Sequence, residues 1–178
     1  LDVLARHPGD YEVFALTANR KWQELADICL IARPRYAVLA DDAAAIELRN
    51  HLHALGSDTE VLAGQAALAQ VAAAAEVDVV VAGIVGAAGV APTLEAVKAG
   101  KTLLLANKEA LVVTGSLFMD AVRKAGATLL PLDSEHSAIF QCLPSGFRCA
   151  AANEGLAGVE KLLLTASGGP FRECSREA

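Results

Sequence analysis

Short apolar runs recur along this chain between longer amphipathic stretches, and that alternation constrains the fold more than any other feature. The runs cover residues 12–17, 36–40, 59–63, 77–82, 102–106, 127–132 and 161–165. Each is mostly apolar without strict alternation, as strands covered on both faces are. Residues 22–32, 41–55, 65–75, 92–99 and 109–125 carry helical periodicity instead. Asp41-Asp42 suits a helix start and Pro92 a first helical turn, while Gly56, Gly100 and Gly126 stand where helices should stop. Strands alternating with helices of this length predict βαβ units in a doubly wound, mostly parallel α/β sheet. Ligands of such sheets bind outside the carboxyl ends of the strands. The residues just after each run are therefore the ones that can carry function.

With 178 residues, 54% hydrophobic and 20% charged, the chain is long and apolar enough to bury a core and too apolar for disorder. A net charge of −6 without a basic run argues against nucleic acid or an anionic membrane surface as partner, but leaves room for a local phosphate pocket. No apolar run reaches the ~18 residues of a spanning helix. Cys29, Cys142, Cys149 and Cys174 show no C-x-x-C spacing, which fits a reducing compartment better than a zinc or disulfide framework. Leu1 rather than Met opens the chain, and residues 1–6 read as the remainder of a helix. We therefore expect a piece of a longer protein, with any phosphate-cradling glycine loop upstream. Around residues 144–158 the periodicity breaks, as at a connection into a second region.

Five strand ends hold polar residues worth weighing. Asn19-Arg20-Lys21 follows the first run and contains no acid. At the ribose end of a dinucleotide fold, basic residues accommodate the 2′-phosphate of NADP, whereas Asp or Glu binds the 2′-hydroxyl of NAD. Arg20 and Lys21 are otherwise solvated residues opening a helix. Residues 83–89 carry G-x-x-G-x-x-G, near the dinucleotide fingerprint but without its tight-turn spacing, so this turn either lines a nicotinamide pocket or packs. Asn107-Lys108-Glu109 follows the fifth run. Lys108 can neutralise an oxyanion and Asn107 can bond a carboxamide, or the triplet begins a helix with Glu109 near its positive end.

The sharpest feature is Asp133-Ser134-Glu135-His136. Carboxylates at i and i+2 point to one side if the backbone is still extended, where two hard oxygen donors can hold Mg²⁺ or Mn²⁺. The competing reading is a helix cap. His136 alone reads as structural, and His51 and His53, two apart in a helical pattern, as surface residues. Ser167-Gly168-Gly169, after the last run, offers a hydroxyl and free backbone N–H groups for an oxyanion, or a flexible turn.

Assembled in order, these blocks resemble the 1-deoxy-D-xylulose 5-phosphate reductoisomerase family of non-mevalonate isoprenoid synthesis. The resemblance rests on residues 82–89 with Pro92-Thr93-Leu94, on Leu105-Ala106-Asn107-Lys108-Glu109-Ala110, and on Leu117-Phe118-Met119-Asp120-Ala121-Val122. It continues through Asp133-Ser134-Glu135-His136 with Ala138-Ile139-Phe140-Gln141, and through residues 164–172. It implies a Rossmann-like NADP-binding domain over residues 1–132, followed by the start of an α+β catalytic, metal-binding domain over residues 133–178. It implies an enzyme, an oxidoreductase using NADPH and Mg²⁺ or Mn²⁺ to turn the ketose phosphate into 2-C-methyl-D-erythritol 4-phosphate. Carried over by position, Asp133 and Glu135 are metal ligands, Lys108, Ser134, Glu135 and Ser167 meet substrate, and Lys108, Asp133 and Glu135 act in catalysis. Asn19, Arg20, Lys21, Asn107 and Glu109 meet the cofactor. A cytoplasmic homodimer of the bacterial type, with neither nucleic acid nor membrane as partner, is also implied. The family's phosphate loop, third metal carboxylate, remaining phosphate-binding residues, lid and carboxyl-terminal helical domain lie outside these residues. The piece by itself is therefore expected to be inactive.

Overall fold

The computed structural model describes residues 2–7, 9–145, 147 and 156–165. A short helix α1 (Asp2–Arg6) precedes six strands separated by helices. The order is β1 (Ala15–Ala18), α2 (Trp22–Ala32), β2 (Tyr36–Leu39), α3 (Asp42–Ala54), β3 (Glu60–Ala63) and α4 (Gly64–Ala72). Then follow β4 (Val79–Ala82), a 3₁₀ turn (Ala87–Gly89), α5 (Val90–Lys98), β5 (Thr102–Leu105), α6 (Glu109–Ala125), β6 (Thr128–Pro131) and α7 (Ser134–Cys142). Every ladder is parallel, with Ala15 opposite Tyr36, Tyr36 opposite Glu60, Val79 opposite Thr102, and Thr102 opposite Thr128.

The α/β class and the parallel strands match the expectation, but the strands divide into two sheets, β1-β2-β3 and β4-β5-β6. The first is covered on both faces. Alternate residues of β2 make this possible: Ala37 and Leu39 pack against Leu25, Cys29, Leu48 and Leu52 of α2 and α3. Val38 points the other way, onto Ala67, Leu68 and Val71 of α4. The second sheet buries Leu103, Leu105 and Leu129 with Phe118 and Val122 of α6 and Ala96 and Val97 of α5. On β4, Val79 and Val81 stay exposed, so a uniformly apolar strand is here covered on one face by the described residues. Helix α4 contributes Ala72 to this second core, linking the two units.

Two expectations are corrected. Residues 161–165 form no strand; no ladder partner lies beside them among the described residues, and Leu162, Leu163 and Leu164 are exposed. A strand exists only through its neighbour's hydrogen bonds, which β-propensity alone does not supply. The Asp133-Ser134-Glu135 backbone is not extended either, because Asp133 is the N-cap of α7. Helix α6 also holds a break the periodicity does not reveal. Gly115 (φ 49°, ψ −120°) leaves the helical region, splitting α6 into two segments on different axes. Among the described residues, no helix is long and apolar enough to cross a membrane.

Candidate active site

The ends of β5 and β6 bring the predicted residues together. β5 stops at Leu105 and Asn107 follows at the approach to α6. The Asn107 Oδ1 accepts from the Glu109 N–H at 3.2 Å, and its Nδ2 donates to the Ile84 carbonyl at 2.7 Å. Asn107 is thus a clasp between the turn after β4 and the first turn of α6. The helix-start role is present, and the glycine-bearing turn is joined to it through the Ile84 carbonyl. Sequence gave no sign of the Ile84 carbonyl, since a backbone acceptor has no residue signature.

Lys108 is the N-cap residue of α6 and Asp133 that of α7. Adjacent parallel strands therefore deliver these residues to the same edge, and Lys108 Nζ lies 3.4 Å from Asp133 Oδ2. Lys108 remains 61% exposed while Asp133 keeps only 21% of its side-chain surface, so the carboxylate is the shielded partner and the ammonium the solvated one. Asp133 makes no side-chain cap bond to α7, so its oxygens are not committed to the helix. Its carboxyl is held below the usual carboxylate range, first by hydrogen bonding with the Glu135 carboxyl. Partial burial pushes the other way, and the Lys108 ammonium and His136 pull it down further. The Ser134 hydroxyl donates to Glu135 Oε2 at 3.3 Å, which places all three residues of the motif in one polar group.

Behind this group lies a cavity of about 340 Å³, with Leu105, Leu111, Leu129, Ile139 and Phe140 among its apolar walls and Lys108, Asp133 and His136 also lining it. Asp133 and Glu135 are the hard oxygen donors that Mg²⁺ or Mn²⁺ prefers, and a carboxylate not engaged in capping its helix fits a cation. Among the described residues no group of three or more His, Cys, Asp or Glu could hold a metal.

Asn19, Arg20 and Lys21 stand apart, at the carboxyl end of β1 in the other sheet. Arg20 Nε lies 3.2 Å from Asp41 Oδ2, and Lys21 Nζ donates to Glu24 at 2.8 Å. No hydrogen bond or ion pair joins this group to Lys108 or Asp133 among the described residues. Ser167 lies outside the described residues.

Parallel strands with helical crossovers and polar residues gathered at their carboxyl ends define an α/β protein of the doubly wound, Rossmann-like type. Family comparison narrows this. Residues 1–115 match the family model described as 1-deoxy-D-xylulose 5-phosphate reductoisomerase, and residues 129–178 match that described as its C-terminal domain. The chain belongs to the 1-deoxy-D-xylulose 5-phosphate reductoisomerase family. It is 60% identical over 173 residues to the reductoisomerase of Stutzerimonas stutzeri strain A1501, covering 97% of this chain and 43% of that protein. With the Pseudomonas putida KT2440 protein it shares 58% over 178 residues, 100% of this chain and 44% of the relative. The chain thus spans less than half the length of the curated relatives it matches.

Solved structures agree. The Zymomonas mobilis reductoisomerase in complex with NADPH superposes with a TM-score of 0.86 at 44% identity, covering 98% of this chain and 43% of that one. A reductoisomerase bound to NADPH, fosmidomycin and magnesium gives 0.88 at 40% identity, again over 98% and 43%.

Proposed function

We propose that this protein takes part in the NADPH- and divalent-cation-dependent conversion of 1-deoxy-D-xylulose 5-phosphate to 2-C-methyl-D-erythritol 4-phosphate. The observation that carries the proposal is the convergence of Lys108 with Asp133, 3.4 Å apart, at neighbouring strand ends. Relatives solved with NADPH, magnesium and fosmidomycin support it. Residues 1–132 form the cofactor domain in this reading and residues 133–178 the beginning of the catalytic one; the two family models change over between residues 115 and 129.

Asp133 and Glu135 hold the cation, with the remaining positions taken by substrate oxygens, water and a further carboxylate. When bound, the cation polarises adjacent carbonyl and hydroxyl oxygens for rearrangement of the carbon skeleton, and NADPH supplies the hydride that reduces the resulting aldehyde. Lys108 offsets negative charge on the rearranging oxygens, and its exposed ammonium can leave Asp133 to do so. Ser134 and Ser167 bind substrate, with Glu135 contributing from the same turn as Ser134. Asn19, Arg20 and Lys21 receive the adenosine 2′-phosphate, and Asn107 and Glu109 border the cofactor. A cytoplasmic homodimer, without nucleic-acid or membrane partners, completes the reading and is supported by family membership.

The test is substrate-dependent NADPH oxidation with Mg²⁺ or Mn²⁺, comparing the full-length protein that contains this chain with its Asp133→Asn variant. Turnover is expected to collapse while NADPH binding, followed by fluorescence, persists. Undiminished turnover in the variant removes Asp133 from the cation site.

A further inference from the structure

Asp41 stands just beyond β2, and its backbone and side chain are tied down from several directions. Its N–H donates to the Asn19 carbonyl at 3.1 Å, its carbonyl accepts from the Ala45 N–H at 3.1 Å, and its Oδ1 accepts from the Ala44 N–H at 2.9 Å. Those bonds make it the N-cap of α3 and fix its position against the end of β1. One carboxylate oxygen is left over, and Oδ2 lies 3.2 Å from Arg20 Nε. The Arg20 side chain is 75% exposed, against 28% for Asp41. A carboxylate fixed by its cap bonds therefore stands at ion-pair distance from a guanidinium whose long stem would otherwise sample many rotamers.

The edge of approach matters. The Nε edge of Arg20 lies nearest Asp41, and among the described residues neither Nη group makes a hydrogen bond. The end-on fork of a guanidinium, Nη1 with Nη2, is a face that meets a phosphate bidentately. Lys21 is engaged differently, with its ammonium on Glu24 within the same helical turn. We propose that Asp41 is a positioning residue for discrimination of the 2′-phosphate: it orients Arg20 so that the free fork meets the phosphate of NADPH. This rests on the NADPH reading given above. The same carboxylate acts oppositely once Arg20 is gone. It then stands as a lone acid near the ribose, repelling a 2′-phosphate and accepting from a 2′-hydroxyl, as the acids of NAD-binding folds do.

Asp41→Asn separates the two jobs, because Asn caps a helix as well as Asp but carries no charge to hold Arg20. Kd values for NADPH and NADH, with 2′,5′-ADP as a minimal probe, are measured for the protein, Asp41→Asn, Arg20→Ala and the double variant. Asp41→Asn is expected to weaken NADPH and 2′,5′-ADP about two- to fivefold, the range of a lost exposed ion pair, with NADH and Tm unchanged. In the Arg20→Ala background the same substitution should tighten NADPH, reversing the sign. Unchanged or tighter NADPH binding in Asp41→Asn overturns the proposal, as does equal weakening of NADPH and NADH or the absence of that reversal. If the unsubstituted protein does not prefer NADPH to NADH, the cofactor reading falls and this proposal with it.

Discussion

Gly89→Ala tests how the glycine-bearing turn supports the site. Gly89 has ordinary helical backbone angles (φ −78°, ψ −14°), so its requirement is one of space. A Cβ built on it would lie 2.4 Å from the Ile84 carbonyl oxygen and 3.3 Å from its carbon. Carbon–oxygen contacts begin near ~3.3 Å, so the carbonyl or the turn must move by about 0.9 Å. That same oxygen accepts the Asn107 amide at 2.7 Å, and a shift of this size breaks or bends the bond. Overpacking against backbone costs ~1–3 kcal/mol and the weakened hydrogen bond ~1 kcal/mol, together ~2–4 kcal/mol. For a chain of 178 residues this lowers Tm by about 4–16 °C. Thermal unfolding of Gly89→Ala, Asn107→Ala and the double variant measures both the loss and the coupling. The double variant should be more stable than additivity predicts by ~1 kcal/mol, since the bond can be lost only once. A Tm within about 1 °C of the parent, or strict additivity of the two substitutions, refutes this account of the turn.

Other substitutions probe the frame around the site. Gly115→Ala finds open space for its Cβ but a backbone conformation disfavoured for L-residues, so a loss of ~1–3 kcal/mol is expected in urea denaturation; an unchanged midpoint would mean the kink is not imposed by packing. Phe118→Ala empties the centre of the second core, where the ring is 0% exposed, and should cost ~3–5 kcal/mol. A loss below ~1 kcal/mol in the same assay would show that the ring is not a core anchor. Burial pushes the Cys29 thiol up from 9.0 to about 11. Its contribution to stability is therefore fully present below pH 9 and lost as pH rises through 11, the unfolded thiol ionising first. Alkylation near neutral pH, mapped by mass spectrometry, should label exposed Cys142 and spare buried Cys29 until urea unfolds the chain. Equal labelling in the native state would contradict that burial.

Much of the frame was legible because local signals and tertiary demands agree. The helix at Trp22–Ala32 follows its periodicity end to end, Asp41 caps α3 through Ala44, and Gly126 closes α6 in the left-handed region. Polar triplets after apolar runs identified the ends of β5 and β6 as candidate sites before any contact was known. The kink at Gly115 was hidden, since a glycine inside an amphipathic pattern does not by itself announce a break. Helix α7 was visible only as a capping motif, and the motif's carboxylates occupy a helix start rather than a strand.

Sequence alone determined the parallel α/β class, because periods of apolar residues are written in the chain and set by backbone geometry. It also determined the residue types that can hold a cation or a phosphate. Only the tertiary structure decided that the strands part into two sheets, that Lys108 meets Asp133, and that Arg20 is held by Asp41. These depend on which strand ends lie side by side, a relation between segments 21 to 25 residues apart for which no local period exists.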